Sequence, residues 1–238
     1  MDKNSVFVAM GNQKGGAGKS LLSTLFCQYL HEFTELEVLC IDADDLQQGV
    51  VNRRRMEEKA GLIEKGMTYP VASYSTEELR GILLEINGQY DIILCDLPGT
   101  LSQKGVISVY GAMDVVFIPL DPVSLSDTDS TYIFTQLMLK EIDPWRKKAG
   151  IPVAEKRFIF NKIDARTKLF KNDEELTGLM SSMPFETLDT YLPTWNAFKD
   201  WKTYSMMYFE DEKRQNRIVK LMKEMYTVVD SYSKLKNS

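Results

Sequence analysis

The 238 residues predict a doubly wound α/β fold: a mostly parallel sheet of about seven strands with helices on both faces, in a single domain spanning 1–238. Three observations carry that prediction. Short apolar runs alternate with helix-period segments along nearly the whole chain. Two of those runs, Glu37–Asp42 and Tyr90–Asp96, end in an acid. Between the first apolar run and the first helical one lies a glycine-rich stretch, Asn12-Gln13-Lys14-Gly15-Gly16-Ala17-Gly18-Lys19-Ser20.

Val6 to Met10 forms the first strand, and Leu21, Leu22, Leu25, Phe26, Tyr29 and Leu30 fall on one face of the helix that follows. The connection between them suits a phosphate. Gly15, Gly16 and Gly18 let backbone N–H groups turn inward where a Cβ would obstruct them, and Ala17 is the only larger residue among them. The helix beginning near Lys19 adds its positive end, and Leu21 stands in its first turn. Lys19 then reaches the β- and γ-phosphates, and the Ser20 hydroxyl ligates magnesium. Gly11 stands one place too early to open a G-x-x-x-x-G-K-S loop.

Glu37–Asp42 suits a buried parallel strand that delivers carboxylates to the sheet's C-terminal edge, where ligands of such sheets bind. Asp42 and Asp44 follow as a pair, with a helix N-cap as the alternative reading. Arg53, Arg54 and Arg55 then face either solvent on a mixed-charge helix or the phosphates of a partner. Tyr69–Tyr74 is a short strand, and Ser75 with Glu78 opens a helix carrying Leu79, Ile82, Leu83 and Ile86. Ile92–Asp96 is four apolar residues and an aspartate, the Walker B arrangement. A buried Asp96 needs a cation to face, which magnesium supplies. Asp96-Leu97-Pro98-Gly99 matches D-x-x-G, placing the Gly99 amide to sense a γ-phosphate. Further strands run from Asp114 to Leu120 and from Lys156 to Asp164, the latter with the tail Asn161-Lys162-Ile163-Asp164, and Leu188–Pro193 is the expected last strand. Trp195, Phe198, Trp201, Tyr204 and Tyr208 recur at helical spacing. This predicts a helix face packed on the core or a dimer partner, with stacking on bases as the alternative. The closing helix sets Ile218, Leu221, Met222, Met225, Val229 and Tyr232 on one side, and Lys213, Arg217 and Lys220 on another.

The two-lysine loop, with Lys14 upstream of Lys19, resembles the deviant Walker A motif of the ParA/MinD superfamily of dimeric P-loop ATPases. The resemblance covers residues 5 to 165 well and the rest loosely. It implies the P-loop NTPase fold, ATP and magnesium as cofactors, slow ATP hydrolysis, and an ATP-dependent homodimer in which Lys14 touches the partner's phosphates. Asp42-Ala43-Asp44 is similar to the family's switch I, which implies that Asp42 supports the magnesium shell and Asp44 orients the attacking water. Asp45-Leu46-Gln47 departs from the Pro-Gln usual there. Asn161 is similar to the family's asparagine at adenine's edge, where its amide offers a donor and an acceptor; Pro193 matches a residue near the base. Pro119 and Ser124 resemble the strand-to-helix passage and carry no chemistry. The implied partners are a ParB-like stimulating protein and nonspecific DNA. The alternatives are a nucleotide-gated scaffold with little turnover and a MinD-like regulator whose terminal helix lies on a membrane.

Composition narrows this further. A net charge of -5 argues against a strongly basic nucleic-acid binder. Cys27, Cys40 and Cys95 are scattered in apolar segments, which predicts reduced core thiols and a cytoplasmic setting rather than a metal or disulfide site. No apolar stretch approaches the ~20 residues that cross a bilayer. Met1 runs into the first strand within a few residues, which predicts no secretory leader. The lone His31, at a helix end, is not a catalyst candidate.

Overall fold

The computed structural model describes residues 4–44, 48–64, 66–164, 173–210 and 212–237. Six strands are described: β1 (Val6–Met10), β2 (Val38–Asp42), β3 (Val71–Ser73), β4 (Ile92–Asp96), β5 (Val115–Leu120) and β6 (Glu155–Phe160). They form one sheet in the order β3-β2-β4-β1-β5-β6, and every pairing is parallel. Parallel strands need covered faces, and β1 shows how the sequence supplies both. Val6, Val8 and Met10 enter one core; Phe7 and Ala9 enter the other.

The first face is covered by α1 (Lys19–Phe33), by α2 (Gly49–Lys59) through Val50, and by α8 (Met207–Glu210) and α9 (Glu212–Lys236). The second is covered by α3 (Thr76–Ile86), α4 (Val106–Ala112) and α5 (Leu125–Leu137), with α7 (Asp173–Ser182) at its margin. Between them, a π-helical turn at Met138–Ile142 carries α5 into α6 (Asp143–Lys148). The predicted box opens α3: Ser75 Oγ accepts from the Glu78 amide and the Glu78 carboxylate accepts from the Ser75 amide, both at 3.3 Å. The apolar side of α9, Ile218 through Val229, is buried as its spacing requires. That side is therefore not available to lie on a bilayer, and no helix among the described residues is long and apolar enough to cross one.

Two elements differ from expectation. Around the expected last strand there are only isolated parallel bridges, Thr187 to Phe158 of β6 and Pro193 to Ile163 just beyond it, so the described sheet has six strands and not seven. The cause is competition for amides: between the bridges the Thr190 amide turns away to the Glu224 carboxylate of α9 (3.0 Å), and Pro193 has no amide to donate. The aromatic-rich segment is not one helix either. A 3-10 turn (Asn196–Asp200) gives way to extended backbone at Trp201, because the amides of Thr203 and Ser205 are drawn to Glu57 of α2 (3.0 Å) and Gln28 of α1 (2.9 Å).

Gly11 has a packing role. Its amide continues the β5 ladder to Phe117 O (2.7 Å), and a Cβ there would stand 2.5 Å from the Phe134 ring and 2.8 Å from Val116. Gly11→Ala should therefore destabilise the fold by roughly 1–3 kcal/mol through overpacking, read as a lower urea midpoint, and Phe134→Leu in the same chain should recover part of the loss.

Candidate functional site

Parallel register sets the site. Asp42 and Asp96 are direct partners across β2 and β4, and Met10 pairs with Asp96 across β4 and β1. Two carboxylates and the exit of β1 thus meet at the C-terminal edge of the sheet. The glycine-rich loop starts there. Gly16 (φ 75°) and Gly18 (φ 91°) lie in the left-handed region, and Gly18 is the N-cap of α1, so the loop amides curl toward the helix's positive end.

Lys19 is buried within this curl and donates to Lys14 O (3.0 Å). Burial lowers its pKa, opposed by the charges of Asp96 and Asp44. Lys162 reaches across to Gly16 O. Gly99 presses against the loop from the far side: a Cβ on it would stand 2.8 Å from Gly15 N and 2.9 Å from the Lys14 carbonyl carbon. The D-x-x-G amide and the phosphate-type loop are therefore adjacent, as expected. Asp44 lines the same cavity, while 45–47 lie outside the described residues.

Asp96 is 3% exposed and accepts from the hydroxyls of Ser20 and of Ser23 (3.2 Å). Burial pushes its carboxyl up to about 6, with Asp42 adding to the rise and Ser20 and Lys19 opposing it. Hydroxyl and carboxylate oxygens around an undercompensated negative charge form the donor set of a hard divalent cation. Among the described residues no three His, Cys, Asp or Glu side chains gather to hold a metal alone, so such an ion would take its remaining oxygens from water or a phosphate.

Other expected site residues sit differently. Asp42 is fully buried, but its Oδ2 accepts from the amides of Val50 (2.9 Å) and Val51 (3.0 Å), and Oδ1 from Asp44 (3.3 Å). It anchors the first turn of α2 from outside the helix, whose N-cap is Gln48 and not either aspartate of the pair. Asn161 is 2% exposed; its Nδ2 donates to Ala17 O (2.8 Å) and its Oδ1 accepts from the Lys162 amide (2.8 Å), so it props the loop. Lys14 points away from the loop, donating to Ser126 Oγ (2.7 Å) and pairing with Asp127 at the start of α5. Arg54 is buried, bonded to Thr203 Oγ1 (2.8 Å) and Tyr69 O (2.9 Å), which removes it from any phosphate-binding run. Pro119 accepts from Asn12 Nδ2 (2.8 Å) and Ser124 caps α5. All three cysteines are buried and free. His31 lies beside Tyr69 at the end of α1, away from the site.

Sequence reasoning missed Asp127, Lys162 and Ser23: Lys162 fills a variable position of the Asn161-to-Asp164 tail, and the other two stand in no motif. Trp195, Phe198 and Trp201, with Pro193, wall the far end of a cavity of about 500 Å³ that opens on the loop, where the alternative reading of the aromatic run and the expectation for Pro193 both point.

Against known proteins, the sequence matches the family described as the CobQ/CobB/MinD/ParA nucleotide binding domain over residues 8–193. No curated protein matches it. Among solved structures it is similar to a ParA family ATPase from Chlorobium tepidum TLS (TM-score 0.63, 14% identity, covering 93% of this chain and 98% of that one). It is also similar to the pNOB8 ParA bound to nonspecific DNA (0.65, 19%, 95% and 99%). A third is cobyrinic acid a,c-diamide synthase from Mycobacterium smegmatis with bound ADP and magnesium (0.65, 17%, 95% and 96%).

The raised Asp96 pKa sets a pH test. A carboxyl that holds its proton more tightly folded than unfolded lends stability below its unfolded pKa near 4, and that stability is lost as pH rises through about 6. Asp96→Asn, neutral throughout, should melt several degrees above the parent at pH 8 without divalent cation. The gap should close toward pH 4 in thermal melts across that range.

Proposed function

Because the chain belongs to the CobQ/CobB/MinD/ParA nucleotide-binding family, we propose that it is a magnesium-dependent ATP-binding and hydrolysing switch that dimerises on ATP, positioning DNA or another cargo in the cytoplasm. One observation supports this most directly: both lysines of the loop are held on oxygens that a phosphate chain could replace, Lys19 on Lys14 O within the curl of the loop and Lys14 on Asp127 outside it.

In this scheme the amides of residues 15–20 take the triphosphate, and Lys19 exchanges Lys14 O for phosphate oxygens. Ser20 and Asp96 are the residues that would hold magnesium, which neutralises charge on the phosphates when bound. Asp42 fixes the start of α2, so that Asp44 is held beside Lys19 to orient the attacking water. The Gly99 amide meets the γ-phosphate because Gly99 already abuts Gly15. Lys14 leaves Asp127 for the phosphates of a second copy, a trans cation meeting charge on the transferring group. Hydrolysis removes that charge and separates the pair, with a ParB-like protein as the proposed stimulant. DNA as the cargo is supported by the fold shared with a ParA bound to nonspecific DNA.

The Asp45-Leu46 departure after Asp44 favours a second reading, a nucleotide-gated scaffold with little turnover. Single-turnover hydrolysis with and without DNA separates the two.

Lys19→Ala should weaken ATP binding by roughly 10- to 100-fold in calorimetry, the equivalent of one charged hydrogen bond. Lys14→Ala should bind ATP as the parent does but stay monomeric in light scattering with a slowly hydrolysed ATP analogue. Parental dimers in that variant would sink the bridging role.

A further inference from the structure

Deepening the nucleotide assignment, the cavity offers a specific account of the base. One end is the glycine loop; the other is walled by Pro193, Trp195, Phe198 and Trp201. Three side chains between them are bonded within the chain. Asn161 is engaged by Ala17 O and the Lys162 amide, and Lys162 by Gly16 O. The Thr194 amide donates to Ile163 O (2.9 Å) and its hydroxyl to Lys162 O (2.8 Å). Lys199, exposed at the rim, brings only donors, which suit N7 of either purine and O6 of guanine.

The aromatic wall is braced from behind. Trp195 meets Phe198 edge-on (5.1 Å, 73°), and both pack on the buried Tyr208 (5.9 and 5.7 Å). Arg53 lies 4.6 Å from the centre of the Trp201 ring, and two residues on Thr203 is tied to Arg54 and Glu57. Trp195, Phe198 and Trp201 are each half-buried and reach the cavity.

We propose that this protein holds its nucleotide's base by stacking on the Trp195–Phe198–Trp201 wall and not by reading the base's edge, so that it takes GTP nearly as well as ATP. Aromatic stacking is tolerant of base identity because every base has a π face. A bidentate edge contact discriminates by roughly 5- to 150-fold, and the side chain expected to make it, Asn161, is buried under the loop with its amide nitrogen turned to Ala17 O and its oxygen to the Lys162 amide. The larger purine surface covers more of the wall than a pyrimidine does.

The test uses the full chain carrying Trp145→Phe, which leaves Trp195 and Trp201 as the reporters among its three tryptophans. ATP, GTP, CTP and inorganic tripolyphosphate are titrated with magnesium, by calorimetry and by tryptophan fluorescence. The expected result is that ATP and GTP both quench and bind within about 10-fold of each other, CTP binds more weakly, and tripolyphosphate binds without quenching. Trp195→Ala should weaken ATP and GTP together by roughly 10-fold and leave tripolyphosphate unchanged. Trp195→Phe, which keeps a ring, should recover most of that loss. Preference for ATP over GTP beyond 10-fold, measured in the unaltered wall, overturns the proposal whether or not the variants fold. So does tripolyphosphate binding as tightly as ATP, although that result leaves the phosphate loop standing. Failure of tripolyphosphate and every nucleotide to bind removes the nucleotide assignment itself, and this proposal with it.

Discussion

The constraint on which the rest of the structure depends is the burial of negative charge at the end of β2 and β4. The register sets Asp42 opposite Asp96, both away from water, where an isolated carboxylate is strongly disfavoured. Each is relieved in its own way: Asp42 by the amides that begin α2, Asp96 by two serine hydroxyls and the buried Lys19 nearby. Relief is incomplete at both: burial still raises the Asp42 carboxyl against its amide bonds, and it holds the proton of Asp96 to about pH 6. A sheet edge with more buried anion than cation, beneath a loop of inward-turned amides, is matched by a ligand that brings both signs, a phosphate chain with its divalent counter-ion.

The loop is closed on itself by two lysines that such a ligand would displace. Lys19 and Lys162 each donate to a loop carbonyl, and Lys14 is neutralised on Asp127 of α5. These contacts offset the repulsion that three ammonium groups around one short loop would otherwise create. They also define what ligand entry exchanges: carbonyl oxygens of the chain for phosphate oxygens of stronger negative charge.

Much of this was legible in the sequence because strongly local physics specifies it. Glycines in a loop between an apolar strand and an amphipathic helix, and aspartates at the ends of apolar runs, have few other arrangements open to them, and Gly15 to Ser20, Asp96 and Gly99 sit together as expected. What was not legible depends on contacts distant in sequence. Asn161 was expected at a base edge but meets Ala17, 144 positions away, and Arg54 leaves its charged run for Thr203, 149 positions away. The would-be seventh strand is interrupted by a carboxylate of α9, and the aromatic segment is pulled out of helical form by Glu57 and Gln28. Periodicity reports which face of a segment is apolar, but not whether a distant side chain competes for its amides.

Those distant contacts also tie the two ends of the cavity together. Helix α2 begins on Asp42, beside Asp44, and through Arg53, Arg54 and Glu57 it grips Asp200, Trp201 and Thr203. Arg54 is buried with its Nη2 unpaired and stacks 4.6 Å over the ring of Tyr69, whose hydroxyl donates to Thr203 O. A buried guanidinium is tolerated only while its remaining partners stay in place, so α2 and the aromatic segment cannot easily move apart. One helix therefore ties the loop end of the cavity to its aromatic end.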